Sequence, residues 1–232
     1  MTVFSYHLAQ CQPVATAASI INQPSPAEIP GLLHGETMTT MELGAPVFSP
    51  RRLQLTNVAL FAAWEDEQAL DDFLGGTRLG RRLARGWHVR MDFLRRWGSI
   101  NELPELPLQS GDNDPDQPVV AVTLARLRHS QIPRFIKWGK PVERLVRDDP
   151  DTTIALATLR PMRTVSTFSV WTSQQAMTDM VQGHHDVPQP RRHAEAMIER
   201  NRKDFHFELT TLRFRARSEH GAWRSKHHLI PG

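Results

Sequence analysis

The chain has little cysteine, tyrosine or lysine: one Cys, one Tyr, and 4 Lys against 24 Arg. A lone Cys11 excludes an intramolecular disulfide and fits a reducing compartment. No Cys-x-x-Cys or Cys-Gly context surrounds it, so it reads as a small apolar residue rather than a nucleophile. No apolar run approaches the ~20 residues that a membrane span needs; the longest, Val58 to Trp64 and Val119 to Ala125, are strand length. The N-terminal Met-Thr-Val-Phe-Ser-Tyr-His lacks the basic start and apolar core of a secretory signal, and the expectation is a soluble, cytoplasmic protein. Gly-x-Gly-x-x-Gly, P-loop, Gly-x-Ser-x-Gly and His-Glu-x-x-His patterns are missing too. Nucleotide cofactors, acyl hydrolysis and zinc proteolysis therefore lack their usual local signatures. The net charge is only +3. Genomic base composition alone can bias Arg over Lys, so the arginines are discounted as evidence for nucleic acid. Hydrophobic content of 40% with 23% charge is that of a globular chain.

What is present is a repeat. Val58-Ala-Leu-Phe-Ala-Ala-Trp64-Glu-Asp66-Glu-Gln-Ala69-Leu-Asp-Asp-Phe73 returns without a gap as Val165-Ser-Thr-Phe-Ser-Val-Trp171-Thr-Ser173-Gln-Gln-Ala176-Met-Thr-Asp-Met180, 107 residues later. Solenoid repeats run ~20 to 50 residues. A period near half of a 232-residue chain instead points to internal duplication into two modules.

The second module reads as strand, helix, strand, strand, helix, strand. A strand starts at Val119, and an amphipathic helix follows over Ile132 to Val146, which Pro141 should kink or divide. Strands over Thr153 to Leu159 and Val165 to Trp171 precede a helix capped by Ser173. A further helix spans Arg191 to Lys203, and Phe205 to Arg215 closes the unit. The first module repeats the order: strand Thr2 to Leu8, helix Val14 to Ile21, strands Leu32 to Met41 and Leu53 to Trp64, helix Asp66 to Arg85, strand His88 to Arg96. Between the modules lies a Pro-, Asp-, Ser- and Gly-rich stretch without period, read as a linker.

The expected fold class is α+β: tandem ferredoxin-like modules (βαββαβ twice) forming an intrachain pseudo-dimeric α/β barrel. The expected boundaries are module 1 at 1–98, linker at 99–118, module 2 at 119–217 and a C-terminal tail at 218–232. Stacking two such sheets face to face should leave a central cleft, of the kind that takes a flat or elongated apolar ligand. Pairing Trp87-His88 with Phe205-His206 gives the second copy an excess of 11 residues leading into the helix after Pro190. That asymmetry is where function can be built into one copy.

Three segments together carry a resemblance: Val165-Ser-Thr-Phe-Ser-Val-Trp171 with its Ala/Met helix, His193-Ala-Glu-Ala-Met197, and Leu212-Arg-Phe-Arg-Ala-Arg-Ser-Glu-His-Gly221-Ala-Trp223. In them the chain resembles the spheroidene monooxygenase family of bacterial carotenoid oxygenases, within the dimeric α/β barrel superfamily. The likeness is a distributed pattern that also takes in Val119 to Pro150, Ala59 to Trp64 and Gly31 to Pro50. It implies O2-dependent oxidation of a carotenoid or other extended apolar substrate, with haem as the cofactor. It further implies an electron-donor protein or reductant, and transient contact with a membrane from which such a substrate would come. No nucleic acid is expected, and a homo-oligomer stays open.

His193 matches the family's His-Ala-x-Ala pattern and is the expected iron ligand, neutral imidazole being a common axial ligand. Arg191 and Arg192, just before it, suit propionates as bidentate donors. Trp171, like Trp64, would offer a cleft an aromatic face, although core packing is the favoured role for both, since a duplication needs equivalent anchors. As a residue alone, His193 reads more readily as a polar surface side chain than as a ligand. His184-His185 and His227-His228 read as loop and tail, and His88 and His206 as matching structural positions. Arg78, Arg81, Arg82 and Arg85 form a solvated helix face. The alternative readings are a haem-free ligand-binding or quinol-monooxygenase-like barrel, and, more remotely, a basic nucleic-acid or membrane module.

Overall fold

The computed structural model describes residues 2–47, 49, 52–111, 114–184 and 190–232. Among them are strands β1 (Val3–Gln10), β2 (Leu32–Met41), β3 (Leu53–Trp64), β4 (Trp87–Ser99), β5 (Val119–Leu127), β6 (Thr152–Arg160), β7 (Thr164–Trp171) and β8 (His206–His220). The helices are α1 (Pro13–Ile21), α2 (Glu67–Gly76), α3 (Arg78–Leu83), α4 (Ile132–Asp148), α5 (Gln174–Gln182) and α6 (Arg192–Arg202). None is long and apolar enough to cross a membrane.

The strands close into one antiparallel barrel in the order β1-β3-β2-β6-β7-β5-β8-β4. Each half of that ring, β4-β1-β3-β2 and β8-β5-β7-β6, is a ferredoxin-like sheet, and the halves join like to like through β2–β6 and β4–β8. The fold is therefore α+β, two ferredoxin-like modules making one pseudo-dimeric barrel. The two copies start the helix that follows their third strand identically. Asp66 accepts from the Ala69 amide at 2.9 Å and Ser173 from the Ala176 amide at 3.0 Å, each satisfying a donor the first turn leaves free.

Three elements depart from the sequence-based expectation. The helix over Asp66 to Arg85 is two helices, because the Thr77 hydroxyl ends α2 on the Phe73 carbonyl (3.0 Å) and accepts from the Gly80 amide (2.8 Å) to start α3. A Cβ on Gly80 would lie 1.8 Å from the Phe73 carbonyl oxygen, so the tight corner needs glycine there. Pro141 does not divide α4; the bond it cannot donate falls on Lys137, an exposed residue whose carbonyl water can reach. The closing strand β8 runs on to His220, held by its long pairing with β4.

Inward positions alternate along every strand. They fill the lumen with Phe4, Tyr6, Leu8, Met38, Phe61, Trp87, Val89, Val122, Phe168, Leu212 and Phe214, among others. Tyr6 stacks on Phe168 with centroids 4.0 Å apart, and Phe4 lies 4.9 Å from Phe214. The expected central cleft between stacked sheets is therefore not what the chain builds. The sheets meet edge to edge, and bulky inward side chains from both copies occupy the space between them.

Because β4 and β8 are antiparallel, the segments that follow them leave at opposite ends of the barrel, and each folds across its end. After β4, Ile100 is buried and Leu103 and Leu106 pack on the lumen cluster; the Arg96 amide donates to Leu108 and the Ser110 amide to Leu94. The stretch read as a linker is thus a strap. After β8, Trp223 and Leu229 pack into the other end. There Glu219 accepts from the Leu229 amide (2.9 Å), the Ile230 amide (3.1 Å) and Trp87 Nε1 (2.6 Å).

Beneath the strap the lumen ends in charge. Glu36 faces Arg126 at 3.0 Å, both almost fully buried, and accepts from the Thr164 hydroxyl. Glu102 on the strap reaches Arg126 at 3.1 Å and Arg163 at 2.7 Å. Burial opposes ionisation of Glu102, but its own backbone amide and the two guanidiniums hold it down at about 2.

Candidate functional site

The outer face of the second module is built in rows across its strands. One row runs Arg95, Arg213, Ala121, Ser169, Ala155, and the next Trp97, Thr211, Thr123, Thr167, Ala157. The floor is thus a strip of Ala, Ser and Thr, bounded at one edge by two arginines and a tryptophan.

The first module places the same rows under a sealed cover. Its matching positions read Arg90, Ser5, Ala62, Gly35 and His88, His7, Leu60, Thr37. Leu60, Ser5, Ala62, His7 and Thr37 have no exposed surface. A Cβ added at Gly35 would lie 2.8 Å from Pro24, so the covering segment sits flush on the sheet.

In the second module the cover stands off. Thr167, at the position of Leu60, is exposed although it lies at the middle of a central strand, and Ala121, Thr123, Ala155 and Thr211 are half-buried. On α4, Phe135, Ile136, Trp138 and Val142 are half-buried as well. The helix layer α4 to α6 thus leaves Thr167 uncovered, and the face between it and the small residues of the β6-β7-β5-β8 sheet is the candidate cleft.

His193 is half-buried on α6, and its Nδ1 lies 3.2 Å from the carbonyl oxygen of Val181 in the last turn of α5. Val181, Val146 and Ala121 pack around one cluster of Leu94, Val119, Trp171, Met177 and Met180. Burial pulls its imidazole below the ordinary histidine value, and the Val181 carbonyl offsets this in part. With Nδ1–H donated to that carbonyl, the lone pair is on Nε2, to which no group among the described residues bonds. Metal-binding histidines are commonly held this way, by the ring nitrogen that does not face the metal. A single imidazole suffices for haem, whose porphyrin supplies the in-plane ligands.

The other expected site residues are placed differently. Trp171 is fully enclosed, its Nε1 donating to Ser169 Oγ at 2.8 Å, as Trp64 donates to Ser5 at 2.9 Å. In this structure both are matched packing anchors. Arg191 is exposed at the start of α6, and Arg192 donates to Glu195 at 3.1 Å; with Pro190 they line a shallow surface depression. His184 is exposed, and His185 lies outside the described residues. His227 and His228 are exposed in the tail. On α3, Arg81 caps the Gly75 and Gly76 carbonyls that end α2.

His88 and His206 do not match. His88 lies opposite His7, whose counterpart Thr123 faces Thr211, whereas His206 lies opposite Leu127. The second copy's excess is therefore larger than the 11 residues read from the sequence, and it falls in the stretch before α6 and in the longer α6 itself. His7, His88 and His220 instead stack across three strands, with centroids 4.9 and 4.6 Å apart. Parallel rings do not converge their nitrogens, and no cluster of metal-ligating side chains occurs among the described residues.

No protein-family profile matches the chain. It is similar to the spheroidene monooxygenase of Rhodobacter capsulatus, 28% identical over 131 residues. The match covers 56% of this chain and 51% of that protein, so it spans about half of each. Among solved structures, a putative monooxygenase from Fusobacterium nucleatum has 8% identity and a TM-score of 0.40, with 95% of this chain and 94% of that one covered. A ferredoxin-fold protein related to antibiotic biosynthesis monooxygenases, from Listeria monocytogenes, has 12% identity and a TM-score of 0.30, with 93% and 96% covered. A haem-degrading enzyme from Listeria monocytogenes has 13% identity and a TM-score of 0.29, with 91% and 99% covered. The fold assignment rests on the strand order and register of the chain itself.

Proposed function

We propose that the chain is a monooxygenase that oxidises a carotenoid or another extended apolar molecule, with haem seated in the cleft of the second module and His193 Nε2 as the iron ligand. The observation that carries this is the exposed Thr167 where the duplicate copy has a sealed Leu60: one module was closed over its sheet and the other was left open. The partial likeness to spheroidene monooxygenase supports the substrate class.

The residues fit the group. Ala121, Thr123, Thr167 and Ala157 project too little to obstruct a flat ring, and His193 presents a neutral nitrogen whose tautomer is set by Val181. Haem bound there would supply the activation of O2. The chain's own part would be to offer the His193 imidazole as ligand, kept neutral by its burial, and to line the bound group with α4 and α6. The electrons must come from a separate donor, since no nucleotide-cofactor motif is present. Incubation of the haem-loaded protein with a linear carotenoid, a reductant and 18O2 is expected to give one labelled oxygen per oxidised product by mass spectrometry. Oxidation without label, or none at all, would contradict the reading.

A further inference from the structure

The duplication supplies an internal control for charge. Arg90 and Arg213 are equivalent: Arg90 is opposite Ser5, which pairs with Ala62, and Arg213 is opposite Ala121, which pairs with Ser169. Arg90 is neutralised by Asp71 at 2.5 Å, with Glu67 at 3.9 Å. At the repeat offset those carboxylates become Thr178 and Gln174. Arg213 accordingly has no carboxylate partner among the described residues, although its Nε is buried and has no hydrogen-bond acceptor.

Its neighbours deepen the imbalance. Arg95 lies opposite Arg213 on β4, and both guanidiniums rest on the Trp97 ring, at 4.4 and 4.5 Å from its centroid. Burial and the nearby Arg95 pull Arg213 down to about 10. A half-buried guanidinium beside a second cation lacks its counter-charge. Stacking on Trp97 offsets part of that cost and leaves the in-plane N–H groups for an acceptor.

We propose that Arg213, with Arg95 and Trp97, forms an anion-binding edge of the cleft and anchors the carboxylate of an otherwise apolar ligand. This rests on the reading that the second-module cleft is the ligand site. It goes further in fixing the polarity of the ligand: an apolar body over the Ala/Thr floor and an acidic end at Arg213. Arg213 flanks Ala121, and Ala121 packs on the same apolar cluster as Val181, the residue whose carbonyl holds His193. Restoring the missing acids in the Gln174→Glu, Thr178→Asp double variant would rebuild the closed pair of the first module and remove the free cation.

The test titrates all-trans-retinoate and its neutral counterpart retinol into the full chain, followed by tryptophan fluorescence. The wild type is expected to favour retinoate by about tenfold, the scale of one charge-assisted hydrogen bond. Arg213→Gln and the Gln174→Glu, Thr178→Asp variant should abolish that preference and leave retinol binding within about twofold. Arg90→Gln, which breaks the paired copy, should leave the preference intact. Equal affinity of the wild type for the two probes, no binding of either, or a preference that survives Arg213→Gln would overturn the proposal. Haem takes no part in the titration, so the anchor and the cofactor assignment succeed or fail separately.

Discussion

The Nδ1 of His193 and the carbonyl oxygen of Val181 lie 3.2 Å apart, across the junction of α5 and α6. One copy of the repeat makes this contact and the other has nothing like it, because the matching helices α2 and α3 are joined by Thr77 alone. The longer connection before α6 gives that helix its own placement. Since burial lowers the His193 pKa, the imidazole stays neutral below the ordinary histidine range. Haem affinity should therefore hold from pH 7 down past pH ~6.5 before protonation competes. Haem titrations at stepped pH check this; a loss of affinity centred at or above 6.5 would contradict it.

Thr167→Leu restores in the second module the side chain that closes the first. It should reduce binding of any cleft ligand by at least about tenfold, while leaving the midpoint of urea unfolding unchanged or raised, since a buried leucine contributes about 1.5 to 3 kcal/mol. The same substitution with ligand binding intact would place the ligand elsewhere.

Arg126→Met leaves the buried Glu36 with only the more distant Arg160, at 3.7 Å, as counter-charge, and removal of one partner of a buried pair costs about 3 to 5 kcal/mol. Urea unfolding should show a loss of that size, and the Glu36→Leu, Arg126→Met double variant should recover much of it. A single variant as stable as the wild type would contradict a structural role for the Glu36–Arg126 pair.

The stacked histidines set an acid limit. His88 is held at about 4 by burial, by His220 and by Arg90, against an ordinary value of 6.5, and burial with His88 beside it also holds His7 well below that value. Above pH 6.5 the folded and unfolded states are both neutral at these sites and neither contributes. Between pH 6.5 and 4 the unfolded chain takes up protons that the folded chain refuses, so stability should fall, by up to about 3 kcal/mol from His88. Unfolding midpoints at stepped pH should fall through this window, and His88→Phe should flatten the fall.

Much of the scaffold was legible in the sequence because its causes are local. Alternating apolar residues set β2 and β3 at their observed limits, and Asp66 and Ser173 announced the helices they cap. The gapless repeat also held the signal for the cleft, in the change of Leu60 to Thr167, Ala62 to Ser169, Glu67 to Gln174 and Asp71 to Thr178. Reading the repeat only for what recurs, Trp64 and Trp171 above all, picked out packing anchors. Arg213 was out of reach because its match to Arg90 depends on strand register, and the sequence pairing of His88 with His206 sets that register wrongly. Glu102 was hidden for another reason: a polar, aperiodic stretch carries no sign that it will fold across a barrel end.

The most direct test is a titration of haemin into the purified chain and its His193→Ala variant, read by the visible absorption spectrum. The expected result is a Soret band that saturates at one haem per chain in the wild type and is lost in the variant, with both proteins unfolding at similar urea concentrations. A wild type that takes up no haemin, or a variant whose band and stoichiometry match the wild type, would contradict haem ligation by His193.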